Sequence, residues 1–414
     1  MLSNRSAILV FLIAAALAEA QEQGPRGPKP EHGSLLIPDS SIEHFEDIGV
    51  RAHTNHVVFL PPQASNGSPG GETPASLACI YQTVSTLPQG CPINGTSTLP
   101  PEGSGTIAIV DAYDYPTAEN DLNVFSSQFS LPACTTANGC FRRIYASGTK
   151  PKQNCGWGQE AALDIEWAHA MAPKAKIVLV EAASSRFTDL FRAVDVASQT
   201  VSANRGLGEV SMSWGGSEFS TESQSDSHFL AAGVVYFAAS GDTGGATIYP
   251  SASPNVVAAG GTTVERDTNG DFTAEIGWNG SGGGPSKYES RPSYQSGIAT
   301  IVGSQRGVPD FSFDADPASG VSVYDSTMCQ GLVGWEVFGG TSVASPSLAG
   351  IVNLASHFYS SSNAELSTMY SALGTSNYSA DFNDITQGIA GSFSAMTDWD
   401  FVTGLGSDKG LYNK

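Results

Sequence analysis

Basic residues are scarce in this sequence. Lysine and arginine together number 19, against 40 aspartates and glutamates, for a net charge of −21. Phosphate backbones and anionic lipid repel so acidic a chain, which argues against nucleic acid and membrane surfaces as partners. Protonating its carboxylates moves it toward neutrality and not toward a large positive charge, so the balance suits work in acid. Acidity is also common among secreted proteins of every kind. Long apolar runs are lacking as well. Beyond the first twenty residues no stretch reaches the about 18 uninterrupted apolar residues of a membrane helix. None of the six cysteines lies in a CxxC pair, which argues against zinc held through sulfur. No internal repeat is present.

An export signal opens the chain. Arg5 supplies positive charge, Ala7 to Ala18 is a short apolar run, and Ala18-Glu19-Ala20 reads as a cleavage site before Gln21. Residues 1–20 are therefore expected to be a signal peptide and the mature chain to be secreted and extracellular. Residues 21–75 are rich in Pro, Gly and Ser and read as an extended arm or linker, with a possible strand at His56–Leu60. Residues 76–414 are expected to form the main domain, as a monomer. Six cysteines suit an exported protein with disulfides. Cys79 with Cys91 and Cys134 with Cys140 are close enough for small loops, which would leave Cys155 and Cys329, though spacing alone does not fix the pairing. Glycosylation sequons follow at Asn66, Asn94, Asn279 and Asn377.

From Gly105 onward short β-branched runs alternate with helical patterns. Strands are expected at Thr106–Val110, Ile177–Val180, Val210–Ser213 and Val234–Ala239. Helices are expected at Glu160–Ala172, Phe187–Ser198 and Thr221–Ala232. This alternation predicts an α/β fold with a doubly wound, mostly parallel sheet flanked by helices. In such a sheet the functional site lies at the strand C-termini.

The sharpest local motif is Gly339-Gly340-Thr341-Ser342-Val343-Ala344-Ser345-Pro346. A nucleophilic serine needs close backbone approach, an amide for the oxyanion and a helix N-terminus behind it. Ser342 has these; Ser345 is the weaker candidate, lying inside the helical turn. Pro346 is expected in the first turn, where its missing N–H is not needed. A plain Gly-Thr-Ser helix cap would look the same. Glu160 and Asp164 stand at i and i+4, on one helix face, where two neighbouring carboxylates cannot both ionise freely. An acidic solvated face is the bland alternative. Asp242 lies in the Gly-rich turn after the strand at Val234, and Asp111 ends the first strand.

Together these segments resemble the sedolisins, the acid-acting relatives of the subtilisin-like peptidases. Ser211–Gly216, Tyr249–Pro254, Gly282–Ser286, Pro292–Gln295 and Val308–Asp310 follow in family order, so the likeness runs from about residue 75 to the C-terminus. A subtilisin would carry a His-Gly-Thr-His segment; none of the seven histidines has that setting, and His169 reads as a packing or surface residue. The resemblance implies a subtilisin-like fold and a serine-carboxyl peptidase acting on polypeptides, as endopeptidase or tripeptidyl-peptidase. Ser342 would be nucleophile, Glu160 general base, Asp164 its orienting partner and Asp242 the oxyanion-hole acid. It makes Trp214–Gly216 an edge for substrate backbone. It also implies a Ca²⁺ loop, with side-chain ligands Asp384 and Asp400 and a carbonyl ligand from Ile385. Met396 and Asp398 stand where the family has glycines, so the loop's backbone angles are expected to suffer. The family's large propeptide has no room between Gln21 and the domain. A catalytically inactive secreted binding protein on the same scaffold is the competing expectation; it is disfavoured because all four site residues are retained.

Overall fold

A computed structural model describes residues 33–61, 68–93, 99–203 and 207–414. The export signal and the sequons at Asn66 and Asn94 lie outside them. Thr106–Ala112 forms a central strand because Ile107, Ile109 and Val110 bury completely, as both faces of a parallel sheet demand. Lys176–Ala182 pairs with it in parallel on one side and Gly208–Met212 on the other. Phe141–Tyr145 extends the first side. Val234–Ala239, Val257–Arg266 and Phe311–Asp314 extend the second, all parallel. Beyond them Ser407–Asp408 pairs in parallel and Phe382–Asn383 antiparallel. The first strand of this sheet thus lies in its interior. The order in which the chain adds strands reverses across that point, where a doubly wound sheet leaves a crevice at its strand C-termini.

Helices Cys155–Met171 and Thr341–Ala355 cover one face together, and Phe187–Ala203 covers the other. Gly350 lets the first two meet: a Cβ there would press on Met171 and on the Ala168 carbonyl. Helix Cys155–Met171 begins five residues before its expected start, where Asn154 Oδ1 accepts the Trp157 amide as an N-cap. The α-helix expected at Thr221–Ala232 is instead the 3₁₀ segment Glu222–Phe229. Pro346 is the sixth residue of its helix and not in its first turn. It leaves the Ser342 carbonyl without the usual i+4 amide, and Ser213 Oγ takes that place at 3.3 Å. The cysteines pair 79–91, 134–140 and 155–329. Among the described residues no helix is long and apolar enough to cross a membrane.

The described part of residues 21–75, read from the sequence as an extended arm, is held by strand pairing on either side of two 3₁₀ turns, Asp39–Ser41 and Phe45–Asp47. Ser34–Leu36 lies against Val58–Leu60, which lies in turn against Leu332–Gly339, and His53–Thr54 pairs with Trp214–Ser217.

Candidate active site

Four of the sequence candidates converge at the strand C-termini. Ser342 is the second residue of helix Thr341–Ala355, and its amide is one of those a helix leaves without an internal partner. Gly340, at φ +101°, turns the chain into that helix. A Cβ there would collide with both the Asn55 carbonyl oxygen and the Asp242 carboxyl, so glycine is required. The Ser342 amide donates to the Asn55 carbonyl at 3.0 Å. Its hydroxyl donates to the Ser213 carbonyl at 3.2 Å.

Asp242 follows strand Val234–Ala239. Its Oδ1 accepts the Thr341 amide at 2.7 Å and hydroxyl at 2.9 Å, while the buried Oδ2 has no protein hydrogen bond. Burial pushes its pKa up to about 8, against the opposing pull of the two Thr341 hydrogen bonds. The group is therefore a carboxylic acid, and a donor, at acidic and neutral pH.

Glu160 and Asp164 are fully buried on helix Cys155–Met171, against the helix that carries Ser342. Asp164 Oδ1 lies 2.7 Å from Ser213 Oγ, so Ser213 bridges Asp164 and the Ser342 carbonyl. Burial, then the charges of Asp111 and Glu160, hold the Asp164 pKa well above the carboxylate range. Asp111, at the end of the central strand, has neither oxygen hydrogen-bonded and is raised by burial, Glu160 and Glu181. Glu160 Oε2 lies 2.8 Å from His56 Nδ1, with both side chains fully buried. The His56 ring stacks on Phe338, centroids 5.2 Å apart. A buried serine, a carboxyl donor and a cluster of buried carboxyl groups can together move a proton off a hydroxyl and hold a developing oxyanion.

Other candidates fall elsewhere. Ser345 Oγ bonds Ser211 Oγ at 2.8 Å, one turn away inside the helix packing. His169 is buried, and its Nε2 meets the Pro132 carbonyl at 2.9 Å; burial lowers its pKa to about 4, as for a packing residue. Sequence reasoning missed Ser213 as a bridge and His56 altogether. Neither carries a local signal, because each acts only through partners many residues away.

At the C-terminal loop Asp400 Oδ1 accepts the Val402 and Thr403 amides, at 2.7 and 2.9 Å, and Oδ2 accepts that of Met396 at 2.9 Å. Asp384 Oδ1 accepts the Asp398 amide at 3.0 Å. Asp398 takes φ +66°, the left-handed conformation expected of a glycine there, so the substitution has not cost the turn. The carboxylates of Asp384, Asp398 and Asp400 all bear on the Tyr378 hydroxyl, adding to burial in raising its pKa. Among the described residues they do not gather into a compact three-carboxylate cluster, so an ion there would need carbonyl ligands as well.

Buried carboxyls with raised pKa values extend well beyond the site. Glu166, Glu209 and Asp314 are raised well above their usual range, and Glu181, Glu336 and Glu365 to about 8, all chiefly by burial. Each binds its proton more tightly folded than unfolded. The stability it contributes is complete below the unfolded pKa of about 4 and is lost as pH rises toward the folded values. The melting temperature is therefore expected to be highest near pH 4 and to fall steadily toward pH 8. A calorimetric series peaking at neutrality would contradict this.

No family model matches the chain. Sedolisin of Pseudomonas sp. (strain 101) is 36% identical over 172 residues, which cover 38% of this chain and 28% of that protein. Kumamolisin of Bacillus sp. (strain MN-32) is 33% identical over 289 residues, 61% of this chain and 49% of that protein. The match thus spans less than half the length of either relative. Among solved structures, Pseudomonas sedolisin, described as a serine-carboxyl proteinase complexed with two molecules of pseudo-iodotyrostatin, superposes with a TM-score of 0.66 at 26% identity. That superposition covers 83% of this chain and 96% of that one.

Proposed function

We propose, starting from a chain similar to the sedolisins in sequence and in fold, that it is a secreted, acid-acting serine-carboxyl peptidase. The observation that carries this is the Ser342 amide holding a peptide carbonyl beside the unpartnered Oδ2 of Asp242, with Glu160 and Asp164 on the adjoining helix. In this reading Ser342 Oγ attacks the scissile carbonyl and Glu160 accepts its proton. Asp164, bridged to the Ser342 backbone through Ser213, keeps the acid pair in register. The Ser342 amide and Asp242 share the oxyanion. A carboxylate base serves in acid, where an imidazole would already be protonated. The proposal is tested by incubating denatured protein with the chain across pH 3 to 8 and mapping the cuts. No cleavage at any pH, from a folded sample, ends it.

The C-terminal loop offers Ca²⁺ the hard oxygen ligands it favours: the Asp384 and Asp400 carboxylates with carbonyls of Ile385, Met396 and Asp398. Bound there, the ion would offset the mutual repulsion of the acids and brace the loop. Chelation is expected to lower the melting temperature, and Asp400→Ala to remove that sensitivity. Elemental analysis that finds no metal, with an unchanged melting temperature in chelator, would dismiss the ion.

A further inference from the structure

We infer that Thr341 is a positioning residue for the oxyanion acid: its amide and hydroxyl both bond Oδ1 of Asp242, and so leave the acid's proton on Oδ2, beside the carbonyl that Ser342 holds. This rests on the peptidase reading above. A carboxylic acid has two oxygens and one proton. The oxygen that keeps the proton is the donor, and the other is an acceptor with two lone pairs. A carboxyl free to turn would as readily aim its acceptor at a developing oxyanion and repel it. Thr341 removes that freedom. Its amide reaches Oδ1 at 2.7 Å and its hydroxyl at 2.9 Å, which occupies both lone pairs. Oδ2 is buried and has no protein partner among the described residues. A Cβ on Gly340 would collide with both Oδ2 and the Asn55 carbonyl oxygen, so the two oxygens flank a single point. The proton on Oδ2 therefore stands next to the carbonyl oxygen that the Ser342 amide bonds at 3.0 Å.

The Thr341 hydroxyl is itself aimed. The Gly241 amide donates to its Oγ1 at 3.0 Å, which turns the hydroxyl proton away from Gly241 and toward Asp242. A threonine in a plain helix cap turns its hydroxyl to an amide of its own helix. This one serves the turn that carries Asp242 instead. Competing charge around the acid is sparse. Helix Thr341–Ala355, strand Val234–Ala239 and residues 278–283 contain no Asp, Glu, Lys, Arg or His. Glu160, on helix Cys155–Met171 and 2.8 Å from His56, is the charged group among the described residues that bears on Asp242. Burial raises the Asp242 pKa most, the two Thr341 bonds pull it down, and the Glu160 charge adds a push up. The Thr341 bonds pull downward because they favour the ionised form.

The test compares turnover of one peptide against pH in Thr341→Val, Thr341→Ser, Asp242→Asn and the unaltered chain. Valine keeps the shape and the backbone amide but has no hydroxyl. The bond it removes favours the carboxylate, so the alkaline limb is expected to move up by about one pH unit. Turnover at the optimum is expected to fall about tenfold, with KM unchanged, because Thr341 acts through Asp242 and not on the substrate. Serine keeps the hydroxyl and is expected to restore both limb and rate. Damage to the fold alone would lower turnover without moving the limb upward. Should Thr341→Val not fold, Thr341→Ala carries the same readout. A limb that stays in place without the hydroxyl, or that serine does not restore, reduces Thr341 to a tie between turn and helix, while loss of the limb in Asp242→Asn keeps Asp242 as the acid. If Asp242→Asn retains the limb, Asp242 is not the oxyanion acid and this inference falls with it. A chain that turns over no peptide ends the inference and the peptidase reading together.

Discussion

Ser342→Ala is expected to abolish turnover on any peptide while leaving the melting temperature within a degree or two, because it deletes one oxygen whose only hydrogen bond among the described residues is a 3.2 Å contact with a carbonyl. What remains of the rate would come from the oxyanion donors and substrate binding alone, and serine peptidases stripped of a triad member keep only a remnant ~10³–10⁴ above water. Circular dichroism and peptide turnover on the same sample decide it. A folded variant with wild-type turnover would remove Ser342 as the nucleophile and end the serine-peptidase reading.

Asp242→Ala is expected to cost ~10²–10³ in turnover, the usual result of deleting one oxyanion donor. Asp242→Asn should cost far less, because an amide still donates. The two also differ in pH response. Asp242 donates only while protonated, so wild-type activity should fall as pH rises past about 8. An amide does not titrate, so the asparagine variant should lose that limb. Glu160 must be ionised to accept the Ser342 proton. Turnover against pH on one peptide checks the pair: equal rates for Ala and Asn, or an unchanged alkaline limb in Asn, would make Asp242 a turn residue.

The parallel strands were legible because a strand buried on both faces must be short, apolar and β-branched, as Thr106–Ala112 and Val234–Ala239 are. Helix Cys155–Met171 was legible only in part. Gly156 and Gly158 weaken the helical pattern, and the start is set instead by Asn154 capping Trp157. At Glu222–Phe229 polar side chains compete for nearby backbone: Glu222 Oε2 accepts the Phe219 amide at 2.6 Å, which suits a tight 3₁₀ turn better than a regular helix. Ser342, Glu160, Asp164 and Asp242 stood out because their short motifs match the sedolisin pattern in order; alone, each would pass for a helix cap, an acidic helix face or a turn aspartate. His56 did not. Its meaning lies in a carboxylate 104 residues away, and no local periodicity encodes that distance.

The same two strands that line the cleft, Trp214–Ser217 and Leu332–Gly339, are covered by residues 53–60 of their own chain. A strand edge bonded through backbone reads hardly any side chain, so it tells a substrate from a neighbouring molecule poorly. Breadth of diet and a tendency to aggregate would therefore arise from one surface. While that surface is covered from within, a newly made molecule can be crowded among its copies without templating them. Once it is bare, any unfolded chain nearby, its own kind included, can pair with that edge.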